Sequence, residues 1–346
     1  MIRDSIPVIC YHRIDESDPI TPQVFESHLC YFKKAGIRSL GLEEMQRHLS
    51  GEQRISEKCL MLTFDDGYQD FYHNAYPLLK QYGIKAVVFL IADRLVPDPD
   101  RSISSPALSY DEIHTRAFRG DFRGFLSLEQ VLEMQESGLV EFGAHTKTHS
   151  VVRISSEITG VYTGQKLKWY FPNAETIKTG DPLFQLSPNL VGPEFIPNPD
   201  YVEQFSKLAT QPGQNLADIK TRLHTIPKGT FESTEAWQEK LIDEIAGAKK
   251  ILELKLGKPV TSFCWPWGIE SEEAKKVLDN AGYKLLFTLQ RGSNSKPEHA
   301  FSIKRFSARK KGSNWLFSRL LVFNNTLLSS HYDKKKKTIP STLPCC

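Results

Sequence analysis

Short, almost wholly apolar segments alternate along this chain with longer amphipathic ones, and that alternation restricts it to α/β construction around a parallel sheet or barrel. Strands are predicted at Pro7 to Tyr11, Cys59 to Phe64, Lys85 to Ile91, Val140 to Gly143, Val260 to Trp265, Lys284 to Leu289 and Phe301 to Phe306. A helix is expected over Pro22 to Ala35, with Thr21 as N-cap, Pro22 at the first helical position and Gly36 past its end. The helix before Val140 opens on a capping box, Ser127 with Gln130, and closes at Gly138. A long helix from about Ala236 to Leu256 closes at Gly257.

Two stretches break the rhythm. Residues 96–125 and 154–230 are rich in Pro, Gly, Asn and Thr with little helical period, and read as insertions. The second is too long for a plain loop, so it is a small subdomain or a functional lid. The expected plan is a barrel over 1–312, a C-terminal helix over 313–330 and a disordered basic tail over 331–346.

Composition narrows the classes. With 40% hydrophobic and 25% charged residues the chain can bury a core, which excludes disorder as its main state. No apolar window reaches membrane-spanning length, and the first residues lack a signal-peptide core. A net charge of +3 argues against a nucleic-acid partner. The cations nevertheless crowd the end of the chain, from Lys304 and Arg305 through Arg319 to Lys337, where an acidic partner or an anionic membrane surface is expected. The six cysteines show no CxxC spacing, and the final Cys345-Cys346 lacks the CaaX lipidation pattern. The expected location is therefore cytoplasmic, or peripheral at the inner face of the membrane.

Two clusters carry chemistry. The strand Cys59 to Phe64 runs into Thr63-Phe64-Asp65-Asp66-Gly67, adjacent carboxylates at the strand end where α/β folds bind ligands. The same residues also read as a turn with Asp capping the next helix. The strand Val140 to Gly143 leads into Gly143-Ala144-His145-Thr146-Lys147-Thr148-His149, two histidines that would face the same way on one helical turn. One carboxylate and two neutral imidazoles leave coordination positions open, the pattern of a catalytic divalent metal site.

These motifs resemble those of the polysaccharide deacetylase family, carbohydrate esterase family 4 or the NodB homology domain. The resemblance implies a distorted (β/α)7-type barrel with a large irregular insertion. It implies Asp65 as catalytic base and Asp66, His145 and His149 as metal ligands. The family's Arg-x-Pro-Tyr segment is met by Phe263-Cys264-Trp265-Pro266-Trp267-Gly268, similar to the Tyr-Pro-Tyr-Gly form of the biofilm-type poly-N-acetylglucosamine deacetylases. Its Arg is missing, and Arg305 is the candidate replacement cation beside Asp65. The late Leu-x-His motif is also absent. In the circularly permuted biofilm subgroup an early Tyr-His takes its place, here Tyr11-His12, which makes His12 the expected general acid. Tyr11, Tyr68, Trp265, Pro266, Trp267 and Arg305 are expected to line the substrate groove, although the two tryptophans could equally fill core.

The implied activity is removal of the N-acetyl group from an N-acetylhexosamine in a polysaccharide, lipopolysaccharide or lipid-linked sugar precursor, with one divalent ion. The donor set suits zinc and admits Co, Ni, Mn or Fe. A backbone N–H just after Gly67 would bind the oxyanion. Two other readings share the motifs: an O-deacetylase, and a catalytically silent glycan- or lipid-binding module. The segment around Trp315 to Leu328 would pack on the barrel or lie on a membrane.

Overall fold

The computed structural model describes residues 5–97, 108–172, 174–295, 297–311, 313–333 and Leu343. Its strands, in chain order, are β1 (Val8–Tyr11), β2 (Arg38–Ser39), β3 (Cys59–Phe64), β4 (Ala86–Leu90), β5 (Val140–Ala144), β6 (Val151–Val161), β7 (Pro182–Pro188), β8 (Phe195–Pro197), β9 (Gly229–Phe231), β10 (Ser262–Cys264), β11 (Leu285–Phe287) and β12 (Phe306–Ser307). Packing separates the chain into two units. One is Met1–Thr148 with Ile245–Ile269 and Lys276–Ile339; the other is His149–Glu244 with Glu270–Lys275 and Pro340–Cys346.

In the larger unit the strands lie in the order β11-β10-β5-β4-β3-β1-β12, with β2 attached to β3, and every pair is parallel. The segment that ends in β12 pairs on both sides: Phe306 stands opposite Ile9 of β1, and Ile303 bridges to Phe287 of β11. Seven strands thereby close into the distorted (β/α)7 barrel the sequence implies. β3 and β4 are buried at every residue, as parallel strands covered on both faces must be. Val8, Met61, Val87, Phe89, Leu285, Phe287 and Ile303 form part of the barrel's apolar core. Gly143 is required there, because a Cβ on it would stand 2.4 Å from Ser262 Oγ and 2.7 Å from the Phe89 ring.

Around this core the local signals act largely as expected. The first helix runs Pro22–Lys34, with Thr21 accepting from the Val24 amide, and Ser127 and Gln130 form their capping box. Three elements differ. The helix expected from Ala236 to Leu256 is two helices, Thr234–Ile242 and Ala248–Leu256, around a π turn at Asp243–Gly247. The last barrel strand starts at Phe306 instead of Phe301, after a 3-10 turn at Pro297–Phe301. The side chain of buried Asn294 takes the ladder's place, donating to the Ile6 and Lys304 carbonyls and accepting from the Lys304 amide. The C-terminal helix is likewise two, Ser313–Phe323 and Thr326–Asp333, because Asn325 caps the second through the Leu328 amide.

The smaller unit is less periodic in sequence yet has its own core of Ile158, Phe184, Phe195, Tyr201, Phe205, Ile219 and Leu223. Antiparallel pairs β6–β7 and β8–β9 and the helices Pro199–Ala209 and Leu216–Arg222 supply it. The β6–β7 register slips twice, between Arg153 and Ile158 and again before Gly160, so no period of two survives in the sequence.

Of the 96–125 insertion, 98–107 lies outside the described residues, and Tyr110–Phe118 is helical. Of the tail, His331 to Asp333 end a helix and Leu343 pairs with Leu186; 334–342 and 344–346, with Cys345 and Cys346, lie outside the described residues. Among the described residues no helix is long and apolar enough to cross a membrane.

Candidate active site

The strand period of two builds the floor of the site. Cys10, Thr63 and Arg305 follow the core residues Val8, Met61 and Ile303 by two positions, so they face inward one layer above the apolar filling, and Cys264, part of that filling, borders the same layer. All are buried. Asp65 continues β3 into the same layer and is 2% exposed.

Arg305 organises that layer. Its two terminal nitrogens donate to the two Asp65 carboxylate oxygens at 2.7 and 2.8 Å. Its Nε donates to the Thr288 carbonyl, and further bonds go to Thr63 Oγ1 and Cys264 Sγ. Cys10 Sγ adds a bond to Asp65 at 3.5 Å. Burial would raise the Asp65 pKa, but the Arg305 charge and its hydrogen bonds outweigh it and hold the carboxyl at about 2. Burial pushes the thiols of Cys10 and Cys264 up, so both are neutral donors. Arg305 is fully enclosed and touches no solvent, so it positions Asp65 and is not the groove-lining residue the sequence suggests.

Past Asp65 the chain turns sharply. Asp66 has φ 72° and Gly67 φ 73°, and a Cβ on Gly67 would lie 2.7 Å from Leu90 Cδ2. Leu126 donates to the Gly67 carbonyl and Gln69 donates to Gly124, which pins the turn. The Asp66 carboxylate then stands 3.5 Å from His145 Nε2. The other ring nitrogen of His145 lies 2.8 Å from the Cys264 carbonyl, which can only accept, so Nδ1 carries a proton and, in the neutral ring, Nε2 presents a lone pair.

Asp66, His145 and His149, all buried, offer ligand atoms within 4.8 Å of one another. The route to this convergence is not the helical turn expected for residues 145–149. They form an irregular loop in which Thr146 has φ 64° and His149 φ 60°. The amides of Ala92 and Asp93 donate to the Thr146 and Lys147 carbonyls and hold it. Trp169, which no sequence signal marked, stacks on the His149 ring at 5.9 Å. Among the described residues the non-glycine positive φ angles are those of Asp66, Thr146, His149 and Trp267, so the backbone strain gathers where the chemistry is expected.

A carboxylate and an imidazole lone pair facing each other at 3.5 Å repel unless a cation or a proton lies between them. The donor set therefore fits a divalent ion: one hard oxygen, two imidazole nitrogens, and a Cys264 carbonyl that fixes the His145 ring from its other side.

His12 is the accessible member of the site. Its side chain is 44% exposed, and Nε2 stands 4.0 Å from the Asp65 oxygen that Cys10 also bonds.

The expected substrate residues are placed differently. Tyr11 is core, stacked on Phe64 at 5.0 Å with its hydroxyl bonded to His28. Tyr68 is buried against Phe125 with its hydroxyl on His114. Trp265 is fully buried edge-on to Phe263, and Pro266 is buried beside it. None of these rings offers a face to a sugar. Trp267 is half-buried at φ 53° and keeps that capacity.

The comparisons with known proteins agree with this geometry. Residues 52–172 match the family model "Polysaccharide deacetylase". The chain is 20% identical over 274 residues to the poly-beta-1,6-N-acetyl-D-glucosamine N-deacetylase of Escherichia coli (strain K12), covering 79% of this chain and 31% of that protein. It is 25% identical over 162 residues to the enzyme of that name from Staphylococcus epidermidis, covering 42% of this chain and 49% of the other. It thus spans a third to a half of the length of these curated relatives. Among solved structures, a de-N-acetylase from Aggregatibacter actinomycetemcomitans superposes with a TM-score of 0.60 at 20% identity, covering 91% of this chain and all of that one. Residues 52–172, which carry the acidic turn and the histidine loop, are thus similar to the polysaccharide deacetylase family, and the parallel barrel around them shares the fold of the superposed de-N-acetylase.

Proposed function

We propose that this protein is a metal-dependent N-deacetylase acting on an N-acetylhexosamine in a polysaccharide, lipopolysaccharide or lipid-linked sugar precursor. One observation carries the reading: the Asp66 carboxylate facing the His145 lone pair at 3.5 Å, with His149 beside them.

Asp66, His145 and His149 would hold the ion, zinc being the best fit to the donors, and it would supply Lewis-acid polarisation of the acetyl carbonyl and acidify a water. The chain's own groups do the rest. Asp65, kept ionised by Arg305, accepts the proton of the attacking water. The Tyr68 amide, for which no backbone acceptor is described, would donate to the oxyanion, so that Tyr68 contributes its backbone and not its ring. His12, solvent-accessible and 4.0 Å from Asp65, returns a proton to the departing amine. The cations that flank the last helices in sequence, Arg309, Lys310 and Lys311 before them and Lys334 to Lys337 after, would bring the protein to a cytoplasmic membrane face where lipid-linked sugars are found.

Acetate release from a panel of N-acetylated oligosaccharides and lipid- and nucleotide-linked aminosugars, with and without chelator, tests the reading. Acetate from at least one of them, abolished by chelation, is expected. Release that chelation leaves untouched would contradict it.

A further inference from the structure

The mechanism leaves three arginines unused. Arg291, Arg309 and Arg319 line one small cavity together with Phe306, Ser307, Trp315, Phe323 and Tyr332. Among the described residues no carboxylate lines it. Among the described residues none of the three arginines forms an ion pair or donates a side-chain hydrogen bond to a protein acceptor. Other arginines of the barrel unit are paired: Arg13 with Asp15 and Asp70, Arg38 with Glu44 and Glu57, and Arg305 with Asp65. Three cations gathered without a counter-charge repel one another, and an anion between them relieves that repulsion.

The cavity is built, not incidental. Arg319 is held between two rings, its guanidinium carbon 5.8 Å from the Trp315 centroid and 4.7 Å from that of Tyr332. Those rings belong to a larger aromatic cluster, in which Trp315 meets Phe306 edge-on, Phe306 stacks on Phe323 and Phe323 meets Tyr332 edge-on. Cation–π contact orients the planar fork while leaving its N–H groups unspent. The volume, about 50 Å³, suits a compact anion and not a sugar ring.

Position links the cavity to the chemistry. Ser307 pairs with Cys10, and the Ala308 amide donates to the Cys10 carbonyl at 2.8 Å, so the cavity borders the end of the strand that carries His12. The Arg305 amide bonds the Gln290 carbonyl, which brings Arg291 to the same rim.

We propose that Arg291, Arg309 and Arg319 form a subsite for a phosphoryl group borne by the substrate, beside the deacetylation centre. Guanidinium forks match the oxygen geometry of phosphate, and three of them favour a dianion over a single carboxylate. This inference rests on the deacetylase reading and sharpens it: the preferred substrate is an N-acetylhexosamine carrying a phosphate or diphosphate, and not an unsubstituted glycan.

The test uses the full chain. Binding of inorganic pyrophosphate is measured by calorimetry for wild type, Arg319→Gln and the double variant Arg291→Gln/Arg309→Gln, whose altered side chains lie outside the ring stack. Acetate release is then compared for N-acetylglucosamine 1-phosphate and methyl N-acetylglucosaminide. A lost charged hydrogen bond should weaken pyrophosphate binding about tenfold in each variant, and raise KM about tenfold for the phosphorylated sugar alone. Pyrophosphate binding unchanged in both variants would overturn the subsite. So would equal KM effects on the two sugars, or an Arg-dependent preference for phosphatidylglycerol vesicles without one for the sugar phosphate. If no aminosugar releases acetate while pyrophosphate binding still depends on the arginines, the anion site stands and the deacetylase reading fails.

Discussion

Arg305 and Asp65 meet fork to fork, two parallel bonds of 2.7 and 2.8 Å inside a closed barrel, although 240 positions separate them in sequence. The pair joins the last barrel strand to the acidic turn and keeps the carboxylate charged where burial alone would neutralise it. Removing Arg305 therefore strands a buried charge. Arg305→Gln should destabilise the fold by about 3–5 kcal/mol, while a double replacement of Arg305 and Asp65 by apolar residues of similar volume should cost less. Denaturant unfolding checks this, and a loss below about 1 kcal/mol in the single variant would show that the pair does not carry the layer.

Much of that layer was legible beforehand. The apolar runs located the seven barrel strands, because parallel strands buried on both faces have little choice of composition. Asp65, Asp66, His145 and His149 stood out because strand ends in such folds are where polar side chains can gather. The cation beside Asp65 could be named as Arg305, but the sequence could not tell a buried positioning group from a groove residue, since that depends on Thr288 and Cys264 closing around it. Tyr11, Tyr68 and Trp265 misled for the same reason: an aromatic next to a motif reads alike whether it faces a ligand or the core. The histidine loop was misjudged because spacing alone suggests a helical turn, and nothing in Thr146 or His149 announces a left-handed backbone.

The acidic turn gives a backbone prediction. Gly67→Ala places a Cβ 2.7 Å from Leu90 Cδ2 on a residue at φ 73°. The left-handed conformation costs about 1–2 kcal/mol, the contact adds to it, and the Tyr68 amide shifts. Thermal unfolding should fall and acetate release should drop more steeply than stability explains. Full activity in this variant would remove the Tyr68 amide from the oxyanion role.

His12 lies outside the buried layer, so its removal should spare the fold. His12→Ala is expected to unfold as wild type does and to bind metal equally, but to lose about 10²- to 10⁴-fold in turnover. Leaving groups that need no protonation, such as activated esters, should be affected far less. Equal losses on amide and activated ester would argue against His12 as the acid.

Acid stability should report on His114. Burial chiefly, with help from the Arg94 charge, lowers its pKa to about 3, and its Nε2 shares a hydrogen bond of 2.8 Å with the Tyr68 hydroxyl. The unfolded chain binds a proton near pH 6.5 that the folded chain refuses, so this contribution is present above pH 6.5 and is lost as pH falls towards 3. From pH 7 to pH 5 it amounts to about 2 kcal/mol. His114→Gln should flatten the stability-pH profile in that window, and an unchanged slope would assign the acid sensitivity elsewhere.

The most direct measurement is the zinc content, after equilibrium dialysis, of wild type, His145→Ala and Asp66→Asn. Convergence of Asp66, His145 and His149 on one ion predicts a single bound zinc per wild-type chain and its loss in both variants, with folding intact by circular dichroism. Undiminished zinc in folded variants, or none in the wild type, would contradict the account.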